Sequence, residues 1–430
     1  MLDRTKIPNL GISTQLELNE PECLTLKNGV KVYIIDAGDE AVTRVDLVLR
    51  ASSAHQKKKL VADSVGSLLR EGTKSLNSAQ LAEKLDYYGA YFDVNTSKDT
   101  SSLTLFSLTK YLPDLLPIMA EMFNKAIFPE EELQIHLERR RQEFLVNIEK
   151  VRYKASQEFN QLVFGKNTAY GQVLEVEDFD RLNRQDLIDF YSKYYVPENS
   201  YFILSGLVDA SVKELIERHF CSEGKSGNSI VHPQQNYTSI NPVQEQFIEK
   251  KGSMQSAIRI GRQMVGKLHP DYNRFILLNT ILGGFFGSRL MSNLREDKGY
   301  TYGVNSFVAN YIHNGFFAIA TEVNAKHTQA ALTEIYREIK LLREKRVGSK
   351  ELDLVKNYIY GTFLRNLDGP FALAEGYRAA RDFGLGFDFY QNSLKEILST
   401  DAEQLIETAN KYLQIDDLHQ LVVGEMGEKR

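Results

Sequence analysis

A short pattern of residues occurs twice in the chain, and it narrows the fold more than any other feature. Gly89-Ala90-Tyr91-Phe92-Asp93-Val94-Asn95 aligns with Gly299-Tyr300-Thr301-Tyr302-Gly303-Val304-Asn305, 210 residues later. In both copies a helix-like stretch ends at a glycine, which reads as a helix stop. An apolar run closing on glycine comes late in each half, at Ile203–Gly206 and Val422–Gly424. The order strand, helix, helix, strand, strand, helix surrounds these marks both times. A repeat this long means duplicated domains and not a solenoid, whose units run roughly 20–50 residues. The expectation is an α+β chain of two homologous halves. Each half should be a mixed, largely antiparallel sheet with helices packed on one face.

Residues 222–245, rich in Ser, Gly, Asn, Gln and Pro, are the clearest linker. They divide the chain into an N-terminal domain (1–221) and a C-terminal domain (246–430). Residues 1–20 are polar and read as an arm. Asn28-Gly29, between alternating apolar residues, predicts a hairpin over 24–35. Residues 44–51 alternate as a strand. A helix is expected over about Leu60 to Leu69, closed by Glu71-Gly72-Thr73, and another from Ser78 to Gly89. Strands follow near Tyr91–Asn95 and Ser102–Leu108. Residues 130–160 are charged and helical. In the second half the matching elements are a strand at Ser256–Ile260 and a helix over about Tyr272 to Leu282. After the Gly-rich break Gly283–Gly287 come a helix through Leu290 and Leu294, and strands at Tyr300–Val308 and Gly315–Val323.

Composition excludes several function classes. A net charge of -5 leaves no electrostatic footprint for nucleic acid. The basic runs Lys57-Lys58-Lys59 and Arg139-Arg140-Arg141 read as solvated helix faces. Two cysteines, Cys23 and Cys221, form no Cys-x-x-Cys pattern and argue against a disulfide framework or thiolate metal site. No signal-peptide core or membrane span is visible, so a reducing, cytoplasmic location is the default expectation. His136, with Glu132 one turn before it, reads as a solvated helix pair. A Gly-x-Ser-x-Gly elbow, a His-Glu-x-x-His motif and a Walker loop are all missing.

The stretch Asn293 to Ser306 carries what chemistry there is. Arg295 and Tyr302 flank the turn at Gly299. By themselves they are a helix-end arginine and a strand tyrosine. Brought together, a fixed cation and a phenolic hydroxyl can hold an oxyanion. Gly283, Gly284, Tyr300 and Asn305 around the pair are expected to face a bound peptide.

The duplication, the linker and several short motifs together resemble the pitrilysin/insulinase superfamily, the inverzincins. Mitochondrial processing peptidase and the respiratory-complex core proteins belong to it. The matching pieces span nearly the whole chain: Leu26-Lys27-Asn28-Gly29-Val30, Glu71-Gly72-Thr73, Thr96-Ser97-Lys98-Asp99-Thr100, Tyr195-Val196-Pro197-Glu198-Asn199, Ser288-Arg289-Leu290 and Leu294 to Tyr302. Active members carry His-x-x-Glu-His on the helix before the Gly-Thr turn, two zinc ligands around a general base. Counting back from Gly72-Thr73 puts Asp63 and Ser67 at the ligand positions and Gly66 at the base position. The family's third ligand, a distant Glu, would fall near Phe144–Leu145, with Glu143 and Glu149 close by. The Asn usual after the first glycine turn is Asp93. The resemblance therefore implies a chain that binds no metal. Some members are two-chain clamshells in which one chain supplies zinc and the other an Arg and a Tyr. On that pattern the partner is a homologous subunit bearing His-x-x-Glu-His and the zinc, and Arg295 and Tyr302 stabilise the oxyanion of an extended peptide substrate. A homodimer in isolation remains open. So do a structural or peptide-binding scaffold without proteolytic role and an active zinc peptidase with an unrecognised site.

Overall fold

The computed structural model describes residues 18–221 and 242–425. The arm lies almost wholly outside the described residues, as do linker positions 222–241. The first half opens with β1 (Glu22–Thr25) and β2 (Lys31–Asp36), joined where Asn28-Gly29 was expected to turn. Gly29 takes φ +84°, a conformation that favours glycine. Then come β3 (Val42–Leu49), α1 (Val61–Leu68), α2 (Ser78–Tyr87), β4 (Tyr91–Thr96) and β5 (Ser101–Leu108). Helices α3 (Leu112–Lys125), α4 (Glu130–Ile148), α5 (Val151–Phe164), α6 (Asp178–Arg181) and α7 (Arg184–Tyr194) lead to β6 (Ser200–Gly206) and α8 (Ala210–Phe220).

The second half repeats this plan. It contains β7 (Glu245–Glu249), β8 (Gln255–Met264) and α9 (Tyr272–Asn279), then the two π-helical segments Thr280–Gly284 and Met291–Asp297. Strands β9 (Thr301–Asn310) and β10 (Gly315–Asn324) follow, then α10 (Thr328–Glu344), α11 (Ser349–Asn366), α12 (Pro370–Arg381), α13 (Asp388–Ser399), α14 (Ala402–Tyr412) and β11 (His419–Gly424).

The duplication holds in topology for five strands of each half, and the first half adds β1 at its edge. The first sheet has the order β1-β2-β6-β3-β5-β4 and the second β7-β11-β8-β10-β9. In each, one early strand pairs parallel with the last strand (β2 with β6, β7 with β11) and the remaining neighbours are antiparallel. The twin motifs become β4 and β9, the far edge strands. Gly89 and Gly299 enter them at φ +59° and +64°.

Each sheet buries one face against helices of its own half. Val45, Leu47, Leu103 and Leu204 pack among Val65, Leu116 and Met119 in the first core. Ile258, Ile260, Phe317 and Ile319 pack among Leu278, Leu282 and Ile335 in the second. The other face is covered by a helix from the opposite half. Helix α5 lays Ala155, Phe159, Leu162 and Val163 on Ala257, Phe316, Ala318, Leu421 and Val423 of the second sheet. Helix α12 and its flanks lay Leu367, Ala374, Tyr377 and Phe387 on Tyr33, Ile35 and Ile203 of the first. The halves thus interlock by exchanging equivalent helices. Asp99 adds a polar tie, accepting from Tyr170 Oη (2.5 Å) and from the Ile312 N–H (2.9 Å).

The basic runs are less free than a solvated face would be. Lys58 pairs with Asp186, Lys59 with Asp178, Arg140 with Asp63 and Arg141 with Asp180.

Candidate functional site

Two places carry the expected site residues. The first is the segment from Thr280 to Ser306. Its helices run in π form, a form common at functional sites. Arg289 is locked to Glu351 of α11 by two parallel 2.8 Å hydrogen bonds. Asn293 donates to Glu334 (2.9 Å) and Glu338 (2.7 Å) of α10. These contacts hold the segment on which Arg295 stands.

Tyr302 owes its position to a β-bulge. Val304 pairs with Thr321 and Thr301 with Val323, so Tyr302 and Gly303 together oppose Glu322. The Gly303 N–H donates to the Thr301 hydroxyl (3.1 Å), which donates to the Glu322 carbonyl (2.7 Å). A bulge re-aims a side chain, and here Tyr302 is 91% exposed. The Arg295 guanidinium carbon sits 5.2 Å from the Tyr302 ring centre and 4.6 Å from that of Phe286. Two aromatic faces thus hold the cation at the surface with its N–H groups available. Phe286 was not foreseen from the sequence. The only signal for it was its place in the Gly-rich break.

The other expected residues fall into separate classes. Asn305 is exposed on the edge strand β9. Tyr300 instead stacks on His327, 4.7 Å between ring centres at 20°. Gly283 is packed under β9, where a Cβ would lie 2.7 Å from the Ser306 nitrogen, and one on Gly284 would lie 3.3 Å from the Asn279 carbonyl. Gly283 lets the π-helical segment approach the strand, whereas Gly284 packs against the preceding turn of its own segment.

The second place is the helix expected to be degenerate, α1. Asp63, Gly66 and Ser67 lie on it. Gly66 and Ser67, but not Asp63, line a cavity of about 330 Å³ with Glu71, Asp93, Glu132, His136 and Arg139 among others. Burial, and then the charge of Glu132, push the Glu71 carboxyl above its usual range. Among the described residues no group of three or more His, Cys, Asp or Glu side chains could hold a metal ion. The donor set does not fit zinc: one carboxylate and one hydroxyl replace the two imidazoles. Nor is there room for a base at position 66. A Cβ there would lie 2.8 Å from Thr96 Oγ1 and 3.2 Å from Val94 Cγ1. Of the two third-ligand candidates, Glu143 stays near α1 through Arg140, whereas Glu149 pairs with Lys250 of the second half.

His136 is not a solvated partner of Glu132. It is buried, within hydrogen-bond reach of Ser64 Oγ (3.2 Å), and burial pushes its pKa down to about 4. Glu132 accepts from Ser78 instead. The unfolded chain, with an ordinary His pKa near 6.5, binds more protons than the folded one between those values. Stability should therefore be full above pH 6.5 and fall as pH drops toward 4. By linkage, urea unfolding should show about 2 kcal/mol lost to this group between pH 7.5 and pH 5. His136→Gln should remove that component.

Residues 32–167 match the insulinase family, peptidase family M16, and residues 181–359 match the M16 inactive domain. The chain belongs to the insulinase family. Among similar members, an uncharacterized zinc protease YmxG of Bacillus subtilis is 22% identical, over 80% of this chain and 84% of its own. The beta subunit of mitochondrial-processing peptidase of Rattus norvegicus is 22% identical, over 96% and 86%. A non-peptidase homolog, YmxG of Helicobacter pylori, is 23% identical, over 85% and 84%. The crystal structure of an M16 inactive domain from Pseudomonas fluorescens superposes with a TM-score of 0.87 at 22% identity, covering 95% of this chain and 99% of that one. Within the insulinase family this chain lacks the zinc ligands and general base of the His-x-x-Glu-His motif, with Asp63, Gly66 and Ser67 at those positions. No helix among the described residues is long and apolar enough to cross a membrane.

Proposed function

We propose that the chain is the metal-free subunit of a two-chain zinc peptidase. Its partner would be a homologous subunit that carries His-x-x-Glu-His and supplies the zinc. The observation that carries this reading is the contrast between the two places just described. The helix that should hold zinc has neither ligands nor room for a base. Tyr302 stands exposed and Arg295, half-buried, lies against its ring, as a group that serves another chain would be. Arg295 and Tyr302 donate hydrogen bonds to the oxyanion that forms on the scissile carbonyl. The open edge of β9, bearing Asn305, takes an extended peptide by strand addition.

The test is reconstitution. The chain is coexpressed with an M16 chain bearing His-x-x-Glu-His from the same genome, and cleavage of an extended fluorogenic peptide is followed. The expected result is a copurifying pair that cleaves, with no cleavage by this chain alone. Peptidase activity of the pure chain would overturn the proposal. A stable pair whose activity is indifferent to Arg295 and Tyr302 would leave a scaffold with no proteolytic role.

A further inference from the structure

One guanidinium joins the first degenerate ligand position to Glu143, in a partly exposed ion-pair cluster. Arg140 projects from α4, which packs against α1. Its Nη2 lies 3.1 Å from Asp63 Oδ2, at the first ligand position, and its Nη1 lies 3.2 Å from Glu143 Oε2, on the stretch of α4 expected to supply the third ligand. Asp63 Oδ2 is shielded from solvent and makes no hydrogen bond of good geometry, so the guanidinium serves it as counter-charge. Both helices are otherwise held apolar side to apolar side, by Val65, Leu133 and Leu137.

We propose that Arg140 is a resident cation in the metal's place, so that restoring the ligands alone does not restore a zinc site. A guanidinium stays charged at every physiological pH. It bridges two carboxylates on two helices, the job a divalent ion would do between the same positions. An incoming zinc ion would meet a like charge at short range and a Glu143 already engaged. The loss of zinc binding is therefore more than a loss of imidazoles, since a fixed cation now engages the first ligand position and Glu143. This inference uses the family alignment of Asp63 and Ser67 but not the partner role, and it is tested on the full chain alone.

The probe is zinc chloride, titrated calorimetrically and checked by metal analysis after dialysis. The variants are D63H/S67H and the same pair with Arg140→Gln, which keeps the length of the side chain and removes its charge. Thermal melts and circular dichroism confirm folding, and Arg140→Leu serves as a second neutral variant if the glutamine triple does not fold. The double variant should retain little zinc. The triple should bind about one zinc per chain, with a Kd roughly tenfold or more below that of the double, the equivalent of about 1.4 kcal/mol. Equal affinity in double and triple would overturn the proposal, because Arg140 would then be no obstacle. Failure of the folded triple to bind zinc would overturn it too, because Arg140 would not be occupying the metal's place.

Discussion

Arg295→Ala should lower kcat of the reconstituted peptidase by about 10²–10³-fold, the usual cost of one oxyanion donor. KM should change little, because an interaction made only in the transition state leaves substrate binding alone. The chain itself should stay folded. Arg295 lies at the surface and makes ring contacts with Phe286 and Tyr302, worth about 0.5–1 kcal/mol in such a setting. A change in unfolding midpoint therefore cannot account for a loss of that size. Arg295→Lys keeps the charge and loses the planar fork, so it should recover only part of the rate. Tyr302→Phe separates the two functions of the tyrosine. It keeps the ring against the guanidinium and deletes the hydroxyl. A loss like that of Arg295→Ala would make the hydroxyl a donor in its own right. Full activity would reduce Tyr302 to a support for Arg295. Steady-state kinetics on the purified pair decide between these.

The largest stability effect should come from Phe164→Ala. Phe164 is fully buried at the end of α5, where the first half covers the second sheet. Its ring meets Phe316 edge-on at 5.6 Å, with Tyr170 and Tyr311 each at 5.7 Å. Removing such a ring costs about 3–5 kcal/mol in transfer and cavity terms. Because it joins core elements of both halves, the loss should fall on their coupling. Guanidinium unfolding should shift to lower concentration and separate into two transitions, one for each half. A single transition shifted by less than about 1 kcal/mol would show that α5 adds little to the joint.

Much of the fold was legible because local chemistry decides it. Asn28-Gly29 gave the first hairpin, and Gly89 and Gly299 marked the entries to β4 and β9, since few other residues turn the chain with positive φ at no cost. Apolar alternation placed the central strands to within a few residues. The missing ligands at Asp63, Gly66 and Ser67 were also plain, because a spacing of four on a helix either brings two imidazoles to one metal or does not. The juxtaposition of Arg295 and Tyr302 could be suspected from the turn between them.

The rest depended on what approached from elsewhere in the chain. An apolar stripe says that α5 and α12 must be buried, but not that each covers the other half's sheet. His136 looks like a surface residue in its own helix and is buried only because α1 lies across it. Tyr302 reads as an ordinary strand residue, and it is exposed because the bulge sets it and Gly303 against a single partner, Glu322. Phe286 becomes a support for Arg295 only when the π-helical segments fold back on β9. Arg140 is one of three arginines in a row until Asp63 and Glu143 are found on either side of it. The sequence by itself determined the duplication, the succession of strands and helices along each half and the loss of the zinc ligands, all read from patterns local in the chain, whereas the pairing of strands such as β2 with β6 joins residues far apart in it. The tertiary structure alone decided which surfaces meet and which charges stay at the surface, because burial and pairing are properties of neighbours distant in sequence.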